Sequence, residues 1–116
     1  MSSINLAEKL ASFSEHWSPR TVGQFNGHDL MVAKMRGAFT WHSHPDTDDF
    51  FLVLSGRVTI ELRDRAVTLG PGELFVVPSG VEHRPVAEEE AHVLLIEKTG
   101  TPNTGDPATA APRTLI

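Results

Sequence analysis

The feature that most restricts the fold is the alternation of short apolar segments with turn residues between Thr21 and Lys98. Glycine, proline and Asn26-Gly27 mark the turns, and short strands at such regular spacing are typical of an all-β sandwich or barrel. We predict that Glu88 to Glu90 form a solvated turn before the last strand. Beyond the first hairpin segment, the predicted strands cover residues 30–35, 39–44, 49–54, 57–62, 66–69, 73–77 and 91–98.

The two ends of the chain differ from this β region. Asn5 and Glu8 resemble a capping box, and apolar residues then recur at helical spacing, which predicts a short N-terminal helix over residues 5–14. After Lys98 the sequence is rich in Gly, Pro, Thr and Ala without periodicity, so we expect an arm that either packs on a neighbouring surface or is disordered. At 116 residues we expect one domain, with a lead-in, a barrel and an arm at residues 1–18, 19–98 and 99–116.

Composition excludes several classes of function. No apolar run is long enough to cross a bilayer, and the N-terminus lacks the pattern of a secretory signal, so we expect a cytoplasmic protein without a membrane partner. A net charge of -5 gives no electrostatic reason to bind nucleic acid. The chain has no cysteine, so any bound metal must rely on imidazole and carboxylate ligands.

Two histidines on one predicted strand are the first candidate ligands. Strand alternation places His42 and His44 on the same face, with Cα atoms about 6.5–7 Å apart, so both rings can converge on one ion. If this pair stood alone, exposed or core-satisfied histidines would be the better explanation. His83 follows the Pro78-Ser79-Gly80 turn, whose proline and glycine let the backbone direct that side chain back toward the barrel mouth.

Asp49 is the candidate carboxylate. If it faces inward, Phe51 and Val53 face inward with it, and burying its charge costs several kcal/mol unless a cation or donor is near. The simpler alternative is that Asp46, Asp48 and Asp49 cap turns in the loop. Asp48 could serve as a ligand only if the phase of the strand were reversed.

Two segments resemble the paired motifs of the cupin superfamily. The first, G-x5-H-x-H-x3,4-E-x6-G, is matched by His42, His44, Asp49 and Gly56, and the second, G-x5-P-x-G-x2-H-x3-N, is matched by Gly72, Pro78, Gly80 and His83. The resemblance implies a double-stranded β-helix, or jelly-roll barrel. It also implies one divalent transition metal ion per chain, Fe, Mn, Ni, Co, Cu or Zn, on His42, His44, Asp49 and His83.

Three positions depart from these motifs. Gly37 lies one residue too close to His42, Asp49 stands in place of glutamate, and Ala87 stands in place of asparagine. Because aspartate is about 1.5 Å shorter, either the backbone is closer to the ion, or water bridges the gap, or the site has three ligands.

Several functions are compatible with the resemblance. We expect a metal-dependent enzyme, of dioxygenase or isomerase type, acting on a small oxygenated metabolite; a non-catalytic ligand-binding module and a structural cupin with a degenerate site are the alternatives. The layout is similar to small bacterial cupins labelled mannose-6-phosphate isomerase-like. A sugar phosphate would need a basic clamp, for which Lys34, Arg36 and Arg84 are the candidates.

The interior and the partner can also be predicted. We expect a mainly apolar lining from Met31, Met35, Phe51, Val53, Ile60, Phe75 and Val77. Small barrels with exposed strand edges have a reason to pair, so we expect a homodimer that uses the N-terminal helix, the strand after Thr21 and the C-terminal arm.

Overall fold

A computed structural model describes residues 2–116, where one short helix is followed by eight strands. Asn5 caps the helix, because its side chain accepts a hydrogen bond from the backbone N–H of Glu8 at 3.0 Å. The elements are α1 (Leu6–Ala11), β1 (Arg20–Phe25), β2 (His28–Ala38), β3 (Asp49–Ser55), β4 (Val58–Leu62), β5 (Ala66–Leu69), β6 (Leu74–Val77), β7 (His83–Lys98) and β8 (Thr114–Leu115). The prediction of an all-β fold with a short N-terminal helix is confirmed.

Strand β7 connects the sheet segments of this fold. One of its edges pairs antiparallel with β2, from Val86 to Lys98. Its other edge pairs with β4 over residues 83–86 and with β3 over residues 92–96. Strand β6 adds to the free edge of β3, and β5 adds to β4.

The core follows the two-residue period of the strands. On β3, Asp49, Phe51 and Val53 are buried while Phe50 and Leu52 face the other side, which confirms the predicted phase. Of the predicted lining, Phe75 is half-buried against the core, and the rest is fully buried: Met31, Met35, Phe51, Val53, Ile60 and Val77. A second, smaller cluster forms where Leu10 of α1 packs on Val22 and Val32.

Gly56 is required where β3 turns into β4. Its φ is +79°, and a Cβ atom there would lie 2.9 Å from both the carbonyl oxygen of Glu90 and the Cα of Ala91. Only glycine allows this approach of the turn to β7 without displacing backbone. The glycine that ends the first motif therefore has a packing role.

Three predicted elements differ in the structure. The helix is shorter than predicted, and residues 39–44 form no strand, because only His42 makes a bridge, with His83. The predicted turn at Glu88 to Glu90 is wrong: these residues belong to β7. They lie opposite a shift in register between Met35 and Gly37, and this bulge leaves all three side chains exposed to solvent. The sequence therefore lacks the alternation of apolar and polar residues that would have indicated a strand here.

Residues 99–116 return over the barrel. Strand β8 pairs in parallel with β1, and the backbone N–H of Ile116 donates to the carbonyl oxygen of Thr21 at 3.0 Å. Gly105 has a φ of +77°, and a side chain there would collide with the carbonyl oxygen of Ser43. The arm therefore lies against the loop that carries His42 and His44. Across residues 2–116, no helix is both long and apolar enough to cross a membrane.

Candidate metal centre

Backbone hydrogen bonds bring the candidate ligands together from separate segments. His42 and His44 lie in the loop between β2 and β3, Asp49 begins β3, and His83 begins β7. His42 and His83 exchange backbone hydrogen bonds of 2.9 and 3.0 Å, and the N–H of Gly80 donates to the carbonyl oxygen of His44 at 2.8 Å. The second-motif turn is thereby fixed to the first-motif loop, and both carry histidines.

The four side chains form one buried group. Their ligand atoms all lie within 4.8 Å of one another. Asp49 Oδ2 is 2.9 Å from Nε2 of His83, 3.2 Å from Nε2 of His44 and 4.0 Å from Nε2 of His42. Two ligands of one ion, each bonded at about 2.0–2.2 Å, lie roughly 3–4 Å apart, so the group is able to bind a metal. The shorter side chain of Asp49 reaches the histidines.

Hydrogen bonds to backbone carbonyl groups fix the ring orientations of two histidines. His42 Nδ1 donates to the carbonyl oxygen of Thr40 at 2.8 Å, and His83 Nδ1 donates to that of Val81 at 2.9 Å. In the neutral rings, both Nε2 lone pairs therefore face Asp49. A lone pair and a carboxylate oxygen repel each other at 2.9 Å, so the contact between His83 Nε2 and Asp49 needs either a proton on that nitrogen or a metal ion in its place.

Unpartnered atoms support the same conclusion. Both ring nitrogens of His44 and Oδ1 of Asp49 are buried, and no residue from 2 to 116 offers them a hydrogen bond. Leaving such a group unpaired costs about 1–3 kcal/mol. An ion within the group would satisfy His44 Nε2 and the Asp49 carboxylate together.

Protonation states also suit metal binding. Burial lowers the pKa of His42 to about 4, and the neighbouring His83 and His44 reinforce this effect, so the ring is neutral near pH 7. Burial alone would raise the pKa of Asp49, but hydrogen bonds and positive charge from His44 and His83 outweigh burial and hold the pKa below its ordinary value. A bound metal ion would take the place of the protons on those two rings. Neutral imidazole and ionised carboxylate are the forms that bind metals.

A small cavity opens beside this group. Its inner part has a volume of about 30 Å³, enough for one or two water molecules, and it is partly open to solvent, so a larger molecule can extend outward from it. His42 and Asp49 form part of its wall. The remaining wall is apolar except for Glu97 and Asn103, and consists of Trp17, Pro19, Ala33, Met35, Phe39, Phe51, Pro85 and Leu95.

None of the three predicted basic residues lines the cavity. Lys34 Nζ donates to the carbonyl oxygen of Phe13 at 2.5 Å, and Arg84 pairs with Glu61 at 2.6 Å. The side chain of Arg36 is exposed. The cavity wall therefore offers no basic clamp for a phosphate group.

Glu97 and Asn103 line the cavity but were not predicted from the sequence. Glu97 is 3% exposed, and its Oε2 has no hydrogen-bond partner although it lies 3.9 Å from His44 Nε2. Burial, with the negative charge of Asp49, raises the pKa of Glu97 to about 8. The alternation of β7, which buries Val93 and Leu95, could have identified Glu97. Asn103 lies in the arm, where no periodicity could have signalled it.

The histidines outside the motifs have other contacts. His16 and His92 each bond Glu90 through Nε2, at 2.8 and 2.9 Å. His28 Nδ1 lies 2.9 Å from the carbonyl oxygen of Asn26. The metal-ligand geometry within residues 2–116 is confined to the buried group.

Comparison with known proteins supports the resemblance to cupins. Residues 30–97 match the Cupin_2 family model, a cupin domain. A cupin-2 domain containing protein from Shewanella frigidimarina NCIMB 400 is 43% identical, with a TM-score of 0.81 over 82% of this chain and 93% of that one. Protein NMB1881 from Neisseria meningitidis is 31% identical, with a TM-score of 0.77 over 84% of this chain and 100% of that one. The uncharacterized protein YdbB of Bacillus subtilis (strain 168) is 29% identical, over 78% of this chain and 84% of its own length.

Proposed function

This chain belongs to the cupin domain family, and from that premise we propose that it is a metal-dependent oxygenase acting on a small, oxygenated, largely apolar molecule. The observation that carries the proposal is the position of the buried histidine and aspartate group, which opens onto an apolar cavity without a basic side chain. Fold alone does not select a reaction, whereas the chemistry of the site can.

His42, His44, Asp49 and His83 are the proposed ligands of one divalent ion. Three imidazoles and a carboxylate suit Fe, Mn, Ni, Co, Cu or Zn. A bound ion of this kind supplies Lewis-acid chemistry and, where it is redox-active, activation of dioxygen. The carbonyl groups of Thr40 and Val81 hold two of the rings in the ligating orientation. The apolar wall limits the contact of bulk water with the reacting molecule.

The alternatives receive less support. A sugar-phosphate isomerase needs a cation for the phosphate, and the cavity wall supplies none. A degenerate site was suggested by Asp49 in place of glutamate, yet the Asp49 carboxylate lies within 3.2 Å of two histidines. A non-catalytic binding module has the same metal site and differs only in turnover.

Metal analysis tests the ligand set. Protein purified without chelator, or reloaded and desalted, should carry about one transition metal ion per chain by plasma emission spectrometry. His83→Ala should lose the ion, while His28→Ala, a histidine at the distant start of β2, should keep it. A metal-free wild type that takes up none, or full occupancy in His83→Ala, would show that the ligand assignment is wrong.

Turnover requires a separate assay. Oxygen consumption should be followed with the iron(II), manganese(II), cobalt(II) and nickel(II) forms on small diketones, thiols and catechols, beside a sugar-phosphate isomerisation assay. We expect oxygen uptake with at least one chelating substrate, and its loss in His83→Ala. Isomerisation without oxygen uptake would refute the oxygenase proposal, and tight binding without turnover would favour the binding module.

We also propose a homodimer, but through an apolar face of β6, β3 and β7 rather than through the N-terminal helix, β1 and the arm, because β8 of the same chain already pairs with β1. Adjacent strands β6, β3 and β7 place Val76, Phe50 and Ile96 in one row across the outer face. The next row consists of Leu74, Leu52 and Leu94. Leu74 is 54% exposed and Val76 41% exposed. A continuous apolar face of this kind suits a second copy related by twofold symmetry.

Light scattering after size exclusion tests this interface. The wild type should have the mass of a dimer at micromolar concentration, and Leu74→Glu should have that of a monomer. Thr68→Glu on the exposed edge strand β5 is the matched control and should remain a dimer. A monomeric wild type, or a dimeric Leu74→Glu, would contradict the proposal.

A further inference from the structure

Glu97 is a buried carboxyl group in the cavity that the fold itself does not explain. It is 3% exposed, and its Oε2 has no hydrogen-bond partner in residues 2–116. Buried polar atoms in native proteins almost always have a partner, so an unpartnered one in a binding cavity needs a reason. Apart from Asn103 and the proposed metal ligands, every other residue of the cavity wall is apolar.

The nearest cation does not satisfy Glu97. Arg113 pairs with Asp29 at 2.8 Å and also donates to the carbonyl oxygen of Thr101. Its distance to Glu97 Oε2 is 3.8 Å, which is too long for a hydrogen bond. Arg113 therefore stabilises the arm and Asp29, and it interacts with Glu97 electrostatically without a hydrogen bond.

Asn103 provides a second polar group from the arm. Its Oδ1 accepts a hydrogen bond from the backbone N–H of Ala111 at 2.9 Å, which fixes the orientation of the amide. The amide NH₂ group can then donate to a ligand in the cavity that Asn103 lines.

From this arrangement we infer that Glu97 is a specificity-determining residue that binds a hydroxyl group of the ligand beside the oxygens that chelate the metal. The inference rests on the proposed metal site and names its ligand class: a small chelating molecule with a further hydroxyl group. Glu97 can make this bond in either protonation state, because a carboxylate accepts from a hydroxyl and a carboxylic acid donates to it. Asn103 donates to an oxygen of the same ligand.

Two hydroxamates that differ by one hydroxyl group test this inference without turnover. Acetohydroxamic acid and 2-hydroxyacetohydroxamic acid both chelate zinc(II) through two oxygens. Their affinities for the zinc-loaded protein should be measured by calorimetry, with zinc content determined on the same samples. The variants are Glu97→Leu, Glu97→Gln and, as a control on the exposed face of β7, Glu89→Gln.

In the zinc-loaded protein the nearby cation favours the ionised Glu97 carboxylate. The wild type and Glu89→Gln should therefore bind the hydroxylated probe about tenfold more tightly, the effect of one hydrogen bond to a charged group. The preference should disappear in Glu97→Leu and fall to about threefold in Glu97→Gln, where the bond involves a neutral group. Zinc content should stay near one per chain in every variant. If Glu97→Leu does not fold, the reduced preference in Glu97→Gln decides the question.

The failures of the two proposals are distinguishable. A wild type without zinc, or without affinity for either hydroxamate, overturns the proposed metal function and this inference with it. Zinc-dependent binding of both probes with the same preference in all variants overturns the role of Glu97 alone. Loss of zinc in Glu97→Gln also overturns it, because Glu97 would then be a metal ligand.

Discussion

Replacing Glu97 by glutamine should make the metal-free protein more stable, and increasingly so at alkaline pH. Glu97 is buried, and burial raises its pKa from the ordinary 4.5 to about 8. Between these values the folded protein holds a proton that the unfolded chain has lost, so the free energy of unfolding falls as pH rises. Glutamine has nearly the same shape and carries no charge at any pH, so it removes this loss.

The magnitude follows from the two pKa values. At 1.36 kcal/mol per pH unit, ionisation of Glu97 above pH 8 costs the folded state at most about 5 kcal/mol. For a domain of this size, the melting temperature of Glu97→Gln at pH 9 should exceed that of the wild type by roughly 10–20 °C. At pH 5 the two proteins should differ by about 1 kcal/mol or less.

Thermal and urea unfolding after dialysis against chelator, at pH 5, 7 and 9, would measure this effect. His42 and the other titrating groups are present in both proteins, so the difference between the two curves isolates Glu97. Glu89→Gln, on the exposed part of the same strand, should follow the wild type at every pH. Zinc should reduce the difference, because a nearby cation favours the ionised carboxylate. A difference that does not change with pH, or a wild type that is more stable at pH 9, would refute the reasoning.

Two further predictions concern stability and are measured by urea unfolding. Gly56→Ala should destabilise the protein by about 3 kcal/mol or more, because its φ is positive and a Cβ would collide with the backbone of β7. Gly27 also has a positive φ but lies in open space, so Gly27→Ala should cost about 1 kcal/mol. Arg113→Ala should cost about 2–3 kcal/mol, because it leaves the buried Asp29 without its counter-charge, and it should speed proteolysis of the arm. Glu82→Gln breaks the exposed pair with Arg63 and leaves Arg63 on the ring of Trp41, so it should cost less than about 1 kcal/mol. Equal effects of Arg113→Ala and Glu82→Gln would contradict this account.

The fold class and the candidate ligands could be predicted from local chemistry. Turn residues and the two-residue period depend only on neighbouring positions, so they indicated an all-β fold and which residues share a face with Asp49, while the motif spacing favoured the inward phase of Asp49. The spacing of the two motifs likewise identified the three histidines that the structure gathers into one group. The bulge in β7 was not predictable, because it depends on pairing with β2 rather than on the acidic residues themselves.

The reach of Asp49 and the chemistry of the cavity were decided only by tertiary structure. A side chain one methylene shorter reaches the histidines because hydrogen bonds between His42 and His83 fix the loop against β7, and no local pattern encodes that distance. No periodicity around Asn103 indicates that it lines a cavity. Asn103 lies there because the contacts of Arg113 and β8 hold the arm against the barrel. Periodicity determines which face a residue occupies, whereas long-range packing determines which residues meet.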